Sequence, residues 1–192
     1  RMTSFLGRAN YNYADRYYLG LSYRTDGSSR LARENRWGSF WSVSGAWRFI
    51  DESFLNPVKN VLTDGKLRVS YGVNGTQPSD YYAYMNLYKY GIIYNGQSGM
   101  SIVGIANPDL KWEKNKTWNI GLDLSFIDRI SVTFDYYQRK TSDLIYDLPV
   151  SQVGGYYDGN YGYTTPQNIG SLKNSGFELT ITSTNFRNKD FT

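Results

Sequence analysis

The chain has 192 residues, enough for one domain of ordinary size, and it contains neither cysteine nor histidine. Thiol nucleophiles, imidazole bases and the commonest zinc ligands are therefore excluded, and we expect no enzyme, no metal site and no bound cofactor. The 21 basic and 17 acidic residues are interspersed along the chain, which argues against a nucleic-acid partner.

Two strands joined by a short turn are predicted at the start of the chain. Residues 3–13 and 17–26 alternate apolar and polar side chains, and a period of two places each set on its own face of a strand. The apolar set is rich in aromatic residues and the other set carries charge, which is the inside-out pattern of strands in a membrane β-barrel. No run approaches the ~18 consecutive apolar residues of a membrane-spanning helix.

Five more segments repeat this alternation, with aromatic or aliphatic residues on one face and polar residues on the other. We expect strands at roughly 37–48, 66–75, 115–126, 130–140 and 175–184. The predicted fold class is therefore all-β, an antiparallel transmembrane β-barrel segment of about seven strands. The alternative is a soluble β-sandwich, which would not require tyrosine and tryptophan at both ends of the apolar face.

The connections between strands differ in length on the two sides of the sheet. Turns at 14–16 and 127–129 are short, whereas 27–36, 76–114 and 141–174 are long and rich in Gly, Asn, Tyr and Ser. Bacterial outer-membrane barrels have short periplasmic turns and long external loops. This asymmetry indicates that the first, third, fifth and seventh strands run inward from the cell surface.

One periplasmic connection, 49–65, is longer than the others. We expect a single helical turn there over 51–55, capped by Asp51 and ended near Pro57. Seven strands cannot close a large barrel, and an open edge leaves backbone groups unpaired in lipid. We therefore expect the chain to be a piece of a longer polypeptide, with 185–190 leading to another strand.

Several strings in the chain resemble a known family. GRANYNYADRYYLGLSYRTDGSSR (7–30) and RWGSFWSVSGAWR (36–48) resemble the barrel of TonB-dependent outer-membrane transporters. Within that group, four later strings are similar to the SusC/RagA family of Bacteroidetes. They are LRVSYGVNGTQP (67–78), NPDLKWEKNKTWNIGLD (107–123), SVTFDYYQRKTSDLIYDLPV (131–150) and NIGSLKNSGFELTI (168–181).

This resemblance implies the remaining architecture. The full protein would be a barrel of about 22 strands filled by an N-terminal plug domain, with a TonB-contacting segment ahead of the plug. Residues 1–192 would be part of the barrel domain, and the plug and signal peptide would lie outside this chain. A SusD-like lipoprotein would cover the external loops. The pair would import glycans, or peptides in some members, across the bacterial outer membrane with energy passed on by the TonB complex.

Aromatic residues of the external loops are the candidate contacts for the substrate or the lid protein. Aromatic faces stack on sugars, and tyrosine hydroxyls add hydrogen bonds. The candidates are Trp112 in the second long loop and Tyr156, Tyr157 and Tyr161 in the third. Packing between loops and membership of the interfacial aromatic girdle are the alternatives.

Charged residues form two further groups. Arg30, Arg33 and Arg36 would suit the phosphates of lipopolysaccharide, or they form a solvated cluster with Glu34 as partner. Charges on the polar strand faces are expected to hydrogen-bond the plug, or to tune permeant charge if the pore is open. They are Arg8, Arg24, Arg48, Lys66, Arg68, Asp123, Asp135 and Glu178.

The expected function is that of the barrel wall of an active importer of glycans or other oligomeric nutrients. Two alternatives remain open: a passive porin-like barrel without a plug, and an exported β-rich adhesion or scaffold protein with no transport role. The upstream sequence would separate the first two. Folding of the isolated chain without detergent would favour the third.

Overall fold

An antiparallel sheet of seven strands forms the body of the structure. The computed structural model describes residues 1–151, 153 and 164–185. Its strands are, in chain order, β1 (Met2–Tyr13), β2 (Tyr17–Ser28), β3 (Trp37–Trp47), β4 (Leu62–Thr76), β5 (Leu87–Tyr94), β6 (Gln97–Gly104), β7 (Glu113–Phe126), β8 (Ile130–Ser142), β9 (Ile145–Pro149), β10 (Thr164–Asn168) and β11 (Ser171–Ser183). The large sheet has the order β1-β2-β3-β4-β7-β8-β11.

The seven strands predicted from the alternation are confirmed, and each pairs with the next one predicted along the chain. The main difference is at β4, which begins at Leu62 rather than near 66 and carries an irregularity between Leu62 and Asp64. The sheet is open, with β1 at one edge and β11 at the other. It is a piece of a larger β-barrel.

The two faces of the sheet differ as the alternation predicts. In antiparallel pairing, directly opposite residues lie on the same face, so the register propagates each stripe across the strands. One apolar row runs through Leu21, Val43 and Tyr71, and among the described residues no second sheet covers it. Side chains of this outward face are largely exposed, including Leu21, Tyr23, Trp41, Val69, Phe177 and Ile181. The outward stripes are the lipid-facing surface of the barrel.

The short turns have the geometry that suits the twist of the strands they join. Ala14 and Asp15 both have φ of 53°, and the Arg16 N–H donates to the Tyr13 carbonyl at 3.1 Å. The turn between β7 and β8 repeats this arrangement, with Ile127 and Asp128 at φ of 52°. Two central residues of positive φ define the type I′ hairpin turn. A branched residue such as Ile127 adopts this conformation at a cost.

The periplasmic connection after β3 departs from the prediction of one capped helical turn. It contains two 3-10 helices, Phe49–Asp51 and Ser53–Val58, so Pro57 lies inside the second one instead of ending it. The prediction that Asp51 caps a helix was wrong. Its carboxylate instead lies 3.4 Å from Arg48 Nε, because the first helix brings the two side chains together at a spacing of three residues. No helix among the described residues is long and apolar enough to cross a bilayer.

Two of the long external loops contain hairpins that the sequence analysis missed. β5 pairs with β6 inside 76–114, and β9 pairs with β10 inside 141–174. Asn95, at φ of 48°, and Gly96, at φ of 72°, form the turn of the first hairpin. An Asn-Gly pair is the strongest short-range signal for such a turn, so this hairpin was predictable.

Candidate functional site

A groove lies on the inward face near the external ends of β1–β4. Its volume is about 700 Å³. Its lining combines basic, amide, hydroxyl and aromatic side chains, which include Arg8, Arg24, Ser42, Asn74, Phe40 and Trp112. Such a mixture offers hydrogen-bonding groups, together with the small exposed parts of two largely buried rings, to a polar ligand.

Strand alternation positions the polar side of this groove. Arg24 lies directly opposite Leu6 and Phe40 in the sheet, so all three share the inward face. Its Nε donates to Asp26 Oδ1 at 2.7 Å, and its Nη2 donates to Ser4 Oγ at 3.3 Å. The guanidinium is therefore held against the wall in a defined orientation, with part of its surface left open.

A small hydrophobic cluster under the external loops forms the aromatic side. It contains the buried residues Leu31, Phe40, Leu110 and Trp112, with Ala83 and Ile145 packed against them. The rings of Phe40 and Trp112 meet edge to face at a centroid distance of 5.4 Å. The cluster draws on β3 and on each of the three long loops, so it ties the external mouth together.

The string NPDLKWE (107–113) holds this cluster in place by hydrogen bonds from its backbone and side chains to the other loops. Asn107 Nδ2 donates to the Pro166 carbonyl at 2.6 Å, and the Pro108 carbonyl accepts from Asn35 Nδ2 at 3.1 Å. Glu113 accepts from the Ile145 N–H at 2.9 Å. The string thus links the first, second and third external loops.

Asn168, the first residue of the family-like string NIGSLKNSGFELTI (168–181), completes the link. Its Oδ1 accepts from the Lys111 N–H at 2.7 Å, while its Nδ2 donates to the carbonyls of Lys111 at 3.0 Å and Asp143 at 2.8 Å. The family-like strings 107–123 and 168–181 are therefore in direct contact. Their shared role in the structure is to hold the external loops to one another.

An ion-pair network lies lower on the inward wall. Arg68 donates to both oxygens of Asp123, Nε to Oδ2 at 2.7 Å and Nη2 to Oδ1 at 3.0 Å. Its Nη2 also donates to Asp135 Oδ2 at 3.2 Å, while Asp135 Oδ1 is buried without a hydrogen-bond partner among the described residues. The network joins β4, β7 and β8, since Asp135 Oδ1 also lies 3.2 Å from Arg68 Nη2.

The sequence-predicted contact residues are placed only in part. Trp112 is 6% exposed, its Nε1 donates to the Arg36 carbonyl at 3.0 Å, and its exposed edge borders the groove. Tyr156, Tyr157 and Tyr161 lie outside the described residues. A contact of any of these four with substrate or lid stays a prediction.

The basic cluster of the first loop is partly engaged within the protein. Arg30 Nη1 donates to the Pro78 carbonyl at 2.7 Å, and the guanidinium carbon lies 4.3 Å from the centroid of the Tyr81 ring. In the described part of the chain, no ion pair joins Glu34 to this cluster. Arg30 thus fixes the start of the second long loop.

Sequence reasoning missed the residues that support Trp112. Phe40 was a polar-face position by alternation, and its aromatic character there was a signal that something apolar faces it. Glycines at 38 and 75 flank Phe40, and a Cβ at either position would overlap its ring. Asn168 and Asn107 gave no signal of their own, because their partners are backbone groups that lie close only in the folded chain.

The architecture now defines the class of protein: an outward apolar face, a polar inward face, short turns on one side and long loops on the other are those of an outer-membrane β-barrel. The sequence model of the family "TonB dependent receptor-like, beta-barrel" matches residues 1–192. The chain belongs to this family of TonB-dependent receptors, which is not a family of enzymes, and it is located in the bacterial outer membrane.

Two curated relatives illustrate the likeness. The TonB-dependent receptor SusC of Bacteroides thetaiotaomicron is 40% identical over 202 residues, which cover 100% of this chain and 19% of SusC. The TonB-dependent receptor P3 of Formosa agariphila is 36% identical over 195 residues, which cover 100% of this chain and 19% of P3. The chain thus spans about a fifth of the length of these relatives.

Solved structures agree with this placement. The RagAB peptide importer in its closed-closed state superposes with a TM-score of 0.85 at 33% identity, over 98% of this chain and 20% of that one. The siderophore receptor PirA from Pseudomonas aeruginosa superposes with a TM-score of 0.63 at 14% identity, over 93% of this chain and 30% of PirA. The second likeness shows the fold alone. The chain is thus a TonB-dependent receptor barrel segment homologous to SusC and RagA.

Proposed function

We propose that this chain is part of the wall of a TonB-dependent importer that takes up oligomeric nutrients, with glycans as the first cargo class. The observation that carries the proposal is the groove at the external mouth, where Trp112 and Phe40 adjoin Arg8, Arg24 and Asn74. Sugars present hydroxyl groups, which the polar side chains of this lining can bind, and apolar ring faces, which the exposed Leu6 side chain and the small exposed part of Trp112 can contact.

A SusD-like surface lipoprotein is the proposed partner at the external loops. The hairpin β5–β6 supports this, because it exposes a face of large apolar side chains. Tyr88 and Tyr90 lie opposite Ile102 and Met100 on this face, and Tyr90 is 77% exposed. The exposed rings suit a protein surface that closes over the mouth.

Energy would reach the protein from the TonB complex through a region outside this chain, and a plug domain would fill the barrel. The inward charges support the plug. Glu178 lies directly opposite Asp135 in the same row, and its exposed carboxylate is an acceptor for a donor on an interior domain. A passive pore is the competing function.

The experiment that tests the proposal uses the full-length protein in its native host. Uptake of labelled oligosaccharides is expected to fall when TonB is deleted, and the protein is expected to co-purify with a surface lipoprotein. Uptake that persists unchanged without TonB would instead establish a passive barrel. Trp112→Ala, with Trp37→Ala on the outward face as the matched control, tests the groove itself. Unchanged uptake and unchanged lid binding in Trp112→Ala would remove Trp112 as a contact.

Peptides are the second cargo class, because the RagAB relative is a peptide importer at 33% identity to this chain. A panel of labelled oligosaccharides and peptides offered to the same cells distinguishes the two. Uptake of the labelled peptides alone would assign the peptide class, and uptake of the labelled oligosaccharides alone would assign the glycan class.

A further inference from the structure

Three lysines stand in one row on the outward face, close to the external ends of β7, β8 and β11. Lys116 lies directly opposite Lys140, and Lys140 lies directly opposite Lys173. Neighbouring strands are about 4.8 Å apart, so the row is roughly 10 Å long. All three side chains are exposed, and a fourth lysine, Lys114, lies one row further out.

This arrangement is unfavourable unless something else neutralises it. Like charges directly opposite one another destabilise a sheet. Among the described residues no acidic side chain forms an ion pair with Lys116, Lys140 or Lys173. The row therefore presents three positive charges to whatever surrounds the protein at that height.

The rows of side chains below the lysines show where the lysines lie relative to the membrane. Going outward, β7, β8 and β11 carry apolar rows, then a row with Trp118, Gln138 and Ser175, and then the lysines. From Phe126 to Lys116 the outward face of β7 is about 34 Å long, and a strand tilted by about 40° rises about 26 Å over that length, which is close to the ~25 Å height of the apolar band. Trp118 meets Tyr136 edge to face at 5.4 Å, as expected of an interfacial girdle. The lysine row lies just above that girdle, at the level of the lipid headgroups.

We propose that Lys116, Lys140 and Lys173 form a binding site for the phosphate group of an outer-leaflet glycolipid of the lipid A type. The apolar rows below them accept its acyl chains, and the ammonium groups accept its phosphate. Ser142 and Ser171, directly opposite one another in the row above, add hydroxyl donors. The site is separate from the groove, which lies on the other face of the sheet and on other strands.

The test measures binding of phosphorylated lipid A to the purified full-length protein by native mass spectrometry. Each lysine near an anionic lipid surface contributes about 1 kcal/mol, which is about fivefold in affinity. The triple variant Lys116→Gln, Lys140→Gln, Lys173→Gln is therefore expected to bind about 100-fold more weakly. The matched control removes three other lysines: Lys59→Gln, Lys89→Gln and Lys111→Gln. It is expected to bind as the wild type does.

Two further probes decide the source of the interaction. Dephosphorylated lipid A should bind the wild-type protein as weakly as phosphorylated lipid A binds the triple variant. Inorganic phosphate alone should not protect the wild-type protein against thermal unfolding. Equal lipid binding by the wild type and the triple variant would overturn the proposal. The proposal would also be overturned if dephosphorylated lipid A bound the wild-type protein as tightly as phosphorylated lipid A does. A rise in the thermal midpoint of the wild type with inorganic phosphate alone would overturn it too. Heat-dependent gel mobility verifies that each variant is a folded barrel.

Discussion

Arg68 lies directly opposite Gly121 in the β4–β7 ladder, and its guanidinium occupies the space that a side chain at position 121 would fill. A Cβ there would lie 2.6 Å from Arg68 Nη2 and 2.5 Å from Asp135 Oδ1. The absence of a side chain thus lets one arginine bridge carboxylates on two strands.

Gly121→Ala is expected to displace Arg68 and to weaken both of its ion pairs. Overpacking of this kind costs about 1–3 kcal/mol, whereas the ion-paired side chains are 19% to 37% exposed and each pair contributes about 1 kcal/mol or less. We expect a loss of about 1–2 kcal/mol in the free energy of unfolding of the full-length barrel, measured by urea titration in lipid vesicles. Gly7→Ala is the control, because nothing lies within 4 Å of its added Cβ. Equal losses in the two variants would contradict the role of Gly121.

Glu52 joins the periplasmic girdle to the connection after β3. Its Oε1 accepts from the Tyr17 hydroxyl at 2.6 Å and from Trp47 Nε1 at 3.2 Å, and Arg16 Nη1 lies 3.8 Å from its Oε2. The hydrogen bond from Tyr17 first, and then that from Trp47, hold the pKa of the Glu52 carboxyl below its ordinary value of 4.5. A lowered folded-state pKa means that the carboxylate stabilises the protein above the ordinary pKa. This stabilisation is lost as the pH falls through the folded-state pKa.

Glu52→Gln is therefore expected to lower the thermal midpoint of the full-length protein at about pH 7. The difference from the wild type should shrink once the pH falls below the ordinary pKa of 4.5 and vanish below the folded-state pKa. Glu34→Gln, at an exposed position in the first external loop, is the control and should leave the midpoint unchanged. A difference between Glu52→Gln and the wild type that stays constant down to low pH would show that the carboxylate charge is not involved.

Asn168→Asp tests the link between the family-like strings 107–123 and 168–181. The substitution keeps the acceptor for the Lys111 N–H but replaces the donor to the carbonyls of Lys111 and Asp143 with an oxygen. Loss of these hydrogen bonds and repulsion between oxygens are expected to cost about 1–3 kcal/mol locally. Hydrogen exchange of the amides at 107–113 should then accelerate about tenfold or more. Asn174→Asp, on the inward face of β11, should leave that exchange unchanged.

Ile127 offers a stabilising substitution. It holds φ of 52° at the first central position of the β7–β8 turn, a conformation that costs a residue with a Cβ about 1–2 kcal/mol. Ile127→Gly removes this cost, although the greater freedom of glycine in the unfolded chain offsets part of it. We expect a net gain of about 0.5–1 kcal/mol in unfolding free energy. Ile130→Gly, at the first position of β8, should lower the free energy of unfolding. A lower free energy of unfolding in both variants would refute the turn argument.

The large sheet was predictable because its signal is repeated. Each strand carries one set of side chains that faces lipid and another that faces the interior of the barrel. A shift of one residue would exchange the two sets and place charged side chains in lipid. The predicted strands 17–26 and 130–140 therefore match β2 and β8 within two residues at each end. The hairpins in the external loops do not lie between lipid and the barrel interior, so their sequences need not alternate between apolar and polar residues. Only the turn pair Asn95-Gly96 indicated one of them in the sequence.

The external cluster shows the limit of reading residues one at a time. Trp112 was predicted as a contact residue from its chemistry, yet most of its surface packs on Phe40 and its neighbours. That packing depends on long-range partners, since the hydrogen bond from Trp112 to Arg36 spans 76 residues. No local sequence pattern predicts a contact between residues so far apart, so the burial of Trp112 could be seen only in the folded structure.

The contacts of Asn107, Asn168 and Trp112 have a mechanical consequence for the external mouth. They fasten the described parts of three loops to one another, and the Trp112 ring packs on Phe40 of β3, so we expect these parts of the rim to move together. A widening of the external mouth would then have to come from another part of its rim.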